Sequence, residues 1–406
     1  MRPKICVPIV ALTRDSILSE ARKIKKLPVQ MAEWRVDFFA GYERELSGII
    51  EELKKILADK ELIVTLRTEE EGGEANGSHF HYFSLVETVL QQGRADYVDV
   101  EIDRDSAETE RVIASSKGTA TKVIGSYHDF EKTPSEEFTL AKLEKAKELG
   151  CDVGKFACMP DTPEEADRLL AVTAKMKERN PDFPLITMSM GKLGEKTRLY
   201  GGLYGSEVSF GCMEHSSAPG QIPYSEMTDV FDKIYAGRKH IILIGFMGVG
   251  KSTISRELRR QSGRPEIDTD ECIVQQEGRS IPEIFETEGE KYFRDRETDM
   301  IDELGIREPS VISCGGGMAL RELNVRKLQA IGEVVLLTAE PETIFERVKE
   351  SKERPILNGN MNVSYIRELM EKRRPFYEKA ATLTVPTDQR EANDIAKEIL
   401  EKCRQI

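Results

Sequence analysis

Eight residues, Gly245-Phe-Met-Gly-Val-Gly-Lys-Ser252, have the types and spacing of a loop that wraps phosphate. Glycines let successive backbone N–H groups turn toward one anion, and the dipole of a following helix adds to the attraction. In such a loop the lysine reaches the β- and γ-phosphates, and the adjoining Ser252 hydroxyl takes a place on Mg²⁺. The chemistry expected is ATP binding through Gly248, Val249, Gly250, Lys251, Ser252 and Thr253, followed by phosphoryl transfer. The loop does not name the acceptor.

A second centre is suggested by Lys155, in the apolar run Cys151-Asp-Val-Gly-Lys-Phe-Ala-Cys158. A lysine inside such a strand loses the hydration that its charged form needs, and a neutral amine can attack a carbonyl to form an imine. His128, in Ser126-Tyr-His-Asp-Phe130, can move protons near neutral pH. Imine plus base is a means of removing a proton next to a carbonyl carbon.

The elements that must position these groups follow from periodicity. Residues 1–237 alternate short β-branched strands with amphipathic helical stretches, at a period of roughly 25 to 30 residues. Strands are expected at 5–11, 29–36, 62–66, 97–102, 122–126, 152–157, 185–189 and 207–210. Eight β/α units point to a (β/α)8 TIM barrel. Polar residues gather where those strands end: Glu33 and Arg35 on the second, then Arg67, Glu101, His128 and Lys155 on the next four. Arg198 follows the seventh, with Ser217 and Gln221 after the eighth. Barrel active sites are built on that rim. Residues 238–406 alternate strand and helix again, with strands at 240–244, ending at Asp268, and at 310–313, 334–337 and 382–385. Opening with a phosphate loop, they read as a doubly wound parallel-sheet α/β domain.

Composition narrows the partners. The chain has 406 residues and a net charge of -13, which argues against nucleic acid. No apolar run approaches the roughly 18 residues of a membrane span. Seven scattered cysteines, without a Cys-x-x-Cys pair, suit free thiols in a reducing cytoplasm. Small anionic metabolites remain, and an acidic protein holds them with local arginines.

Lys155 and His128 alone fit any lysine-imine barrel enzyme, a class I aldolase included. The wider motifs are more specific. Glu33-Trp-Arg35-Val-Asp37, Leu66-Arg67-Thr-Glu-Glu-Glu71-Gly-Gly73, Tyr127-His-Asp-Phe130, Met188-Ser-Met-Gly191 and Ser217-Ala-Pro-Gly-Gln221 together resemble type I 3-dehydroquinate dehydratase across residues 1–237. One departure is Pro8, where the family often has serine. The resemblance implies dehydration of 3-dehydroquinate through a Schiff base on Lys155, without a cofactor, and His128 as acid and base. Glu101 would tune the protonation of the imine and of His128, or orient His128. Arg198 would hold the substrate carboxylate, and Glu33, Arg35, Arg67, Ser217 and Gln221 would bind its hydroxyls or position that group. It also implies a homodimer through the barrel.

Likewise Asp268-Thr-Asp270, Phe293-Arg294-Asp-Arg-Glu297, Cys314-Gly-Gly-Gly317, Arg354-Pro355 and Arg373-Arg-Pro-Phe-Tyr377 resemble shikimate kinase across residues 238–406. A different small-molecule kinase of that fold would not need this set. The implied roles are Asp270 on the acceptor hydroxyls, Asp268 near Mg²⁺, and Arg294, Arg373 and Gly316 around shikimate. Arg354 would close over the ATP phosphates from a lid, and Gln389–Arg390 would sit toward the adenine. No Gly-x-Gly-x-x-Gly follows a strand, so the reduction lying between the two reactions is not expected here.

Overall fold

The computed structural model describes residues 2–75, 79–213, 218–235, 240–349 and 362–403. Ser217 and Arg354 lie outside the described residues. The chain divides into two compact units, Met1–Phe231 and Asp232–Ile406.

In the first unit eight parallel strands follow one another around a ring. They are β1 (Lys4–Ile9), β2 (Met31–Arg35), β3 (Glu61–Thr65), β4 (Tyr97–Glu101), β5 (Lys122–Asp129), β6 (Val153–Cys158), β7 (Leu185–Ser189) and β8 (Val208–Cys212). Each pairs with the strand before it from β2 to β7, and β1 also pairs with β8. A bridge between Leu185 and Ser206, with the Glu207 N–H donating to Leu185 O at 2.7 Å, brings β7 to β8 and closes the barrel. A two-residue strand, β9 (Ile222–Pro223), then pairs beside β8.

Alternation along these strands positions the chemistry. Every second side chain points to the barrel axis. The lowest inward layer is apolar: Met31, Ile63, Ile124, Val153, Ile186 and Val208, joined by Cys6 and the half-buried Tyr97. Two residues further along the same strands come Glu33, Thr65, Asp99, Ser126 and Lys155. A further step reaches Arg35, Arg67, Glu101 and His128. The register thus stacks an oily plug beneath a charged layer, and a one-residue slip in any strand would turn its charges outward.

The helices around the ring are delimited locally. The helix Pro163–Arg179, for example, starts at an N-cap Thr162 that accepts from Glu165 N, with proline in its first turn, and turns Leu169, Leu170 and Met176 inward.

The second unit is a five-stranded parallel sheet, β10 (His240–Ile244), β11 (Glu266–Asp268), β12 (Val311–Ser313), β13 (Gly332–Thr338) and β14 (Leu383–Pro386), in the order β11-β12-β10-β13-β14. Central β10 is buried throughout, which explains its unbroken apolar run. It ends where the strand order reverses, the usual place for a ligand crevice. Gly250, at φ 100°, admits the turn from loop to the helix Lys251–Ser262.

Candidate active sites

At the barrel rim, Glu33, Arg35, Arg67, His128, Lys155, Arg198 and Gln221 line one cavity together with Glu71, Met190 and Ala218. Lys155 Nζ donates to Asp99 Oδ2 at 2.9 Å and lies 3.6 Å from Glu33 Oε1. Asp99 therefore supplies the counter-ion that a buried ammonium needs and offsets the desolvation imposed by the strand. Burial pushes the Asp99 pKa up, but Arg67 and then Lys155 outweigh it and hold the carboxyl well below the ordinary range. Arg67 is the hub: Nη2 donates to Asp99 Oδ1 at 2.6 Å, and Nη1 to Glu71 Oε2 at 2.9 Å and to Glu101 Oε1 at 3.1 Å.

His128 Nδ1 lies 2.8 Å from Glu71 Oε2. Burial, followed by the cations Arg67 and Lys155, pushes the imidazole well below its ordinary pKa. When Nδ1–H is given to an ionised Glu71, Nε2 keeps its lone pair, the tautomer that a base requires; burial works against that ionisation and raises the Glu71 carboxyl well above its ordinary range, with Arg67 opposing it. Glu101, expected to orient this ring, does not have that place. It is committed to Arg67, to Thr68 N at 2.9 Å and Thr68 Oγ1 at 2.8 Å, and to Arg104 at 3.1 Å. Glu71 stands beside the ring instead, carried there by the 3₁₀ turn Glu69–Glu71. Its spacing of four from Arg67 was the available signal. Glu71→Gln is expected to lower dehydration turnover about 100-fold, with KM little changed; steady-state kinetics at several pH values check this.

Arg198 is 1% exposed, and burial lowers its pKa to about 10. It donates to the carbonyl oxygens of Phe210 at 3.2 Å and Pro219 at 3.3 Å, while its Nε has no partner among the described residues. A buried guanidinium without a hydrogen-bonded carboxylate suits an anionic ligand. Arg35, by contrast, is clamped by both oxygens of Asp37 at 2.9 and 2.7 Å.

In the second unit Gly248, Val249, Gly250, Lys251, Ser252, Thr253, Asp268, Asp270, Arg294, Gly316 and Arg373 line a cleft of about 830 Å³. Lys251 Nζ donates to the Gly245 and Phe246 carbonyls at 2.9 and 3.3 Å, so its own loop holds it beside the phosphate position. Asp268 caps the helix Thr269–Glu277, accepting from Asp270 N at 3.0 Å, which fixes Asp270 at the first turn. Ser252 and Asp268 present only oxygen donors to the cleft, a set suited to a hard cation such as Mg²⁺.

The triple glycine is tight at its two ends. A Cβ on Gly315 would fall 2.3 Å from Asp270 Oδ1, and one on Gly317 would fall 1.9 Å from Arg294 Nη1. At Gly316, which lines the cleft, the nearest atoms are 4.0 Å away, so a Cβ would have room. Tyr377 Oη donates to Gly316 O at 2.6 Å and ties the helix Val363–Ala380, which carries Arg373, to this loop. Sequence reasoning missed Arg347, which donates to Val249 O at 3.2 Å and to Thr387 Oγ1 at 3.1 Å under the phosphate loop.

Comparison with known proteins assigns both units. The profile of the type I 3-dehydroquinase family matches residues 5–238. The chain belongs to that family. Residues 247–404 match the shikimate kinase family, so a dehydratase domain and a shikimate kinase domain share one polypeptide, a bifunctional shikimate-pathway enzyme. The 3-dehydroquinate dehydratase of Bacillus licheniformis is 40% identical over 231 residues, 56% of this chain and 91% of the relative. A solved type I 3-dehydroquinate dehydratase from Clostridium difficile, with covalently modified comenic acid, is 37% identical. It covers 57% of this chain and 92% of its own, with a TM-score of 0.55. A shikimate kinase from Acinetobacter baumannii, solved in complex with shikimate, is 37% identical over 41% of this chain and 94% of its own, with a TM-score of 0.40.

One buried acid in the kinase domain carries a pH signature. Glu297 is fully buried beside Arg294 at 2.8 Å, and burial, only partly opposed by Arg294, raises its pKa to about 7. Between pH 4.5 and 7 the folded chain keeps a proton that the unfolded chain releases. Stability of the kinase domain therefore falls as pH rises through that window, by up to about 3 kcal/mol, and levels above it. Thermal unfolding at pH 5 and pH 8 should show the slope in the wild type and a flatter one in Glu297→Gln.

Proposed function

We propose that Lys155, His128 and Glu71 carry out the dehydration, with the domain boundary at residues 237/238. The Lys155 amine attacks the ring ketone of 3-dehydroquinate, and loss of water leaves an iminium. His128 Nε2 removes the proton from the adjacent carbon, whose electrons flow into the iminium to give an enamine. The protonated ring then donates to the departing hydroxyl as the enamine expels it, and hydrolysis returns 3-dehydroshikimate and the free amine. Arg198 pairs with the substrate carboxylate, while Glu33, Arg35, Arg67, Ser217 and Gln221 meet the ring hydroxyls or shape the cavity. The observation that carries this reading is a buried lysine and a carboxylate-held histidine facing one cavity beside Arg198.

In the kinase domain Asp270 orients the 3-hydroxyl of shikimate, Arg294 and Arg373 pair with its carboxylate, and Lys251 holds the ATP phosphates. Mg²⁺, held by Ser252 and by Asp268 through water, would neutralise charge on those phosphates. Arg354 would add its charge to the ATP phosphates, and Arg390, which lines the cleft, would serve the adenine. Seven free cysteines support a cytoplasmic setting, and among the described residues no helix is long and apolar enough to cross a membrane. The family resemblance supports a homodimer through the barrel; sedimentation at the mass of one chain would overturn it.

The direct test is a mass spectrum after borohydride reduction with 3-dehydroquinate. A reduced adduct on the Lys155 peptide is expected. An unmodified peptide from active protein would remove the imine from the mechanism.

A further inference from the structure

The turn that carries Glu71 is held from behind by a residue outside the cavity. Arg104 lies three residues past the end of β4, with its side chain 8% exposed. One of its nitrogens, Nη1, donates to Thr68 Oγ1 at 3.0 Å, Glu101 Oε2 at 3.1 Å and Glu70 Oε2 at 3.3 Å. Its guanidinium lies 4.9 Å over the Tyr82 ring, and the Tyr82 oxygen accepts the Glu101 N–H at 2.7 Å. Glu101 in turn receives Thr68 N–H and Oγ1–H. Both ends of the short turn are therefore pinned to the end of β4, and Glu71 comes off it onto His128.

The same contact offsets charge. Four buried carboxylates, Glu33, Glu71, Asp99 and Glu101, face three cations, Arg67, Lys155 and Arg104, so the loss of one cation weighs on the whole cluster. We propose that Arg104 is a positioning residue for dehydration, fixing the Thr68–Glu71 turn so that Glu71 meets the His128 Nδ1–H. Without it Glu101 leans on Arg67 alone, and the carboxylates crowd Glu71. Burial already raises the Glu71 carboxyl well above its ordinary range against the pull of Arg67; the loss of Arg104 raises it further, and a protonated Glu71 donating to Nδ1 would leave the ring hydrogen on Nε2, where the lone pair is needed. The groups facing the Glu71–His128 pair are Arg35, Arg67, Asp99, Glu101, Asp103 and Lys155. Only Arg67 and Arg104 hydrogen-bond to Glu101 as cations among the described residues.

The inference rests on His128 as the base, and the experiment separates the two. Arg104→Met and Arg104→Lys would be compared with the wild type for dehydration from pH 5 to 9 and for borohydride trapping on Lys155. Arg104→Met should trap substrate, showing an intact cavity, while kcat falls about tenfold or more and KM moves little. Its acid limb should move up by about half a pH unit or more. Arg104→Lys should restore both, because an ammonium can serve the three acceptors that Nη1 serves. Thr68→Val, which removes one acceptor, should shift the limb the same way by less. A uniform drop with an unmoved acid limb, or wild-type kinetics in Arg104→Met, would overturn the proposal. Absence of trapping in the wild type would instead sink the assignment of the imine.

Discussion

Lys155→Ala is expected to abolish dehydration, by about 10⁴-fold or more, and to abolish covalent trapping of 3-dehydroquinate with it. The size follows from what the amine does. A ketone acidifies its neighbouring C–H only modestly, whereas a protonated imine draws the carbanion's electrons onto nitrogen. No other lysine lines the described cavity, so nothing can substitute. Removing Lys155 also leaves Asp99 with Arg67 and Ser126, at 2.6 and 2.5 Å, so the carboxylate is not stranded and the barrel should remain folded. Kinase activity in the same polypeptide should be unchanged and normalises the amount of protein assayed. Residual dehydration within tenfold of the wild type would rule out imine catalysis.

Lys251→Ala should have the mirror effect. Shikimate-dependent ATP consumption is expected to fall about 10³-fold, with dehydration untouched. Lys251 sits at the first turn of the helix Lys251–Ser262, so alanine costs no helix propensity, and it gives up only the two hydrogen bonds to the carbonyls of Gly245 and Phe246. The loss should therefore be one of catalysis and phosphate binding, not of folding. ATP turnover that persists without shikimate in the wild type would contradict the acceptor assignment.

Much of the architecture was legible because short β-branched runs alternate with amphipathic helical stretches and lie at regular intervals. All five kinase strands and the eight barrel strands were visible in this way, while β9 was not, being two residues long. Site residues that end strands, such as Arg67, His128 and Lys155, stood out as charge in apolar surroundings. Asp99 could have been found by counting two back from Glu101, since both point inward on β4. Glu71 escaped because it lies in a 3₁₀ turn, where neither the period of two nor that of 3.6 predicts a direction. The preference for Glu101 had the same origin: strand-end position was visible, but the competition of Arg67, Thr68 and Arg104 for its two oxygens exists only in three dimensions. The long-range partnerships, Tyr377 with Gly316 or Arg347 with Val249, leave no local trace in the chain.

The close quarters at Gly315 and Gly317 have a consequence for how this enzyme can change. Every single-base change that replaces a glycine adds a side chain, and here the obstacles are the two groups assigned to grip the acceptor, Asp270 and Arg294. Neither position can drift by small steps, and a compensating change would have to move the very group that reads shikimate. In a library of all single substitutions selected for kinase function, positions 315 and 317 should come back as glycine alone, while 316 admits alanine. Mutational routes toward a new acceptor would then have to begin elsewhere in the cleft.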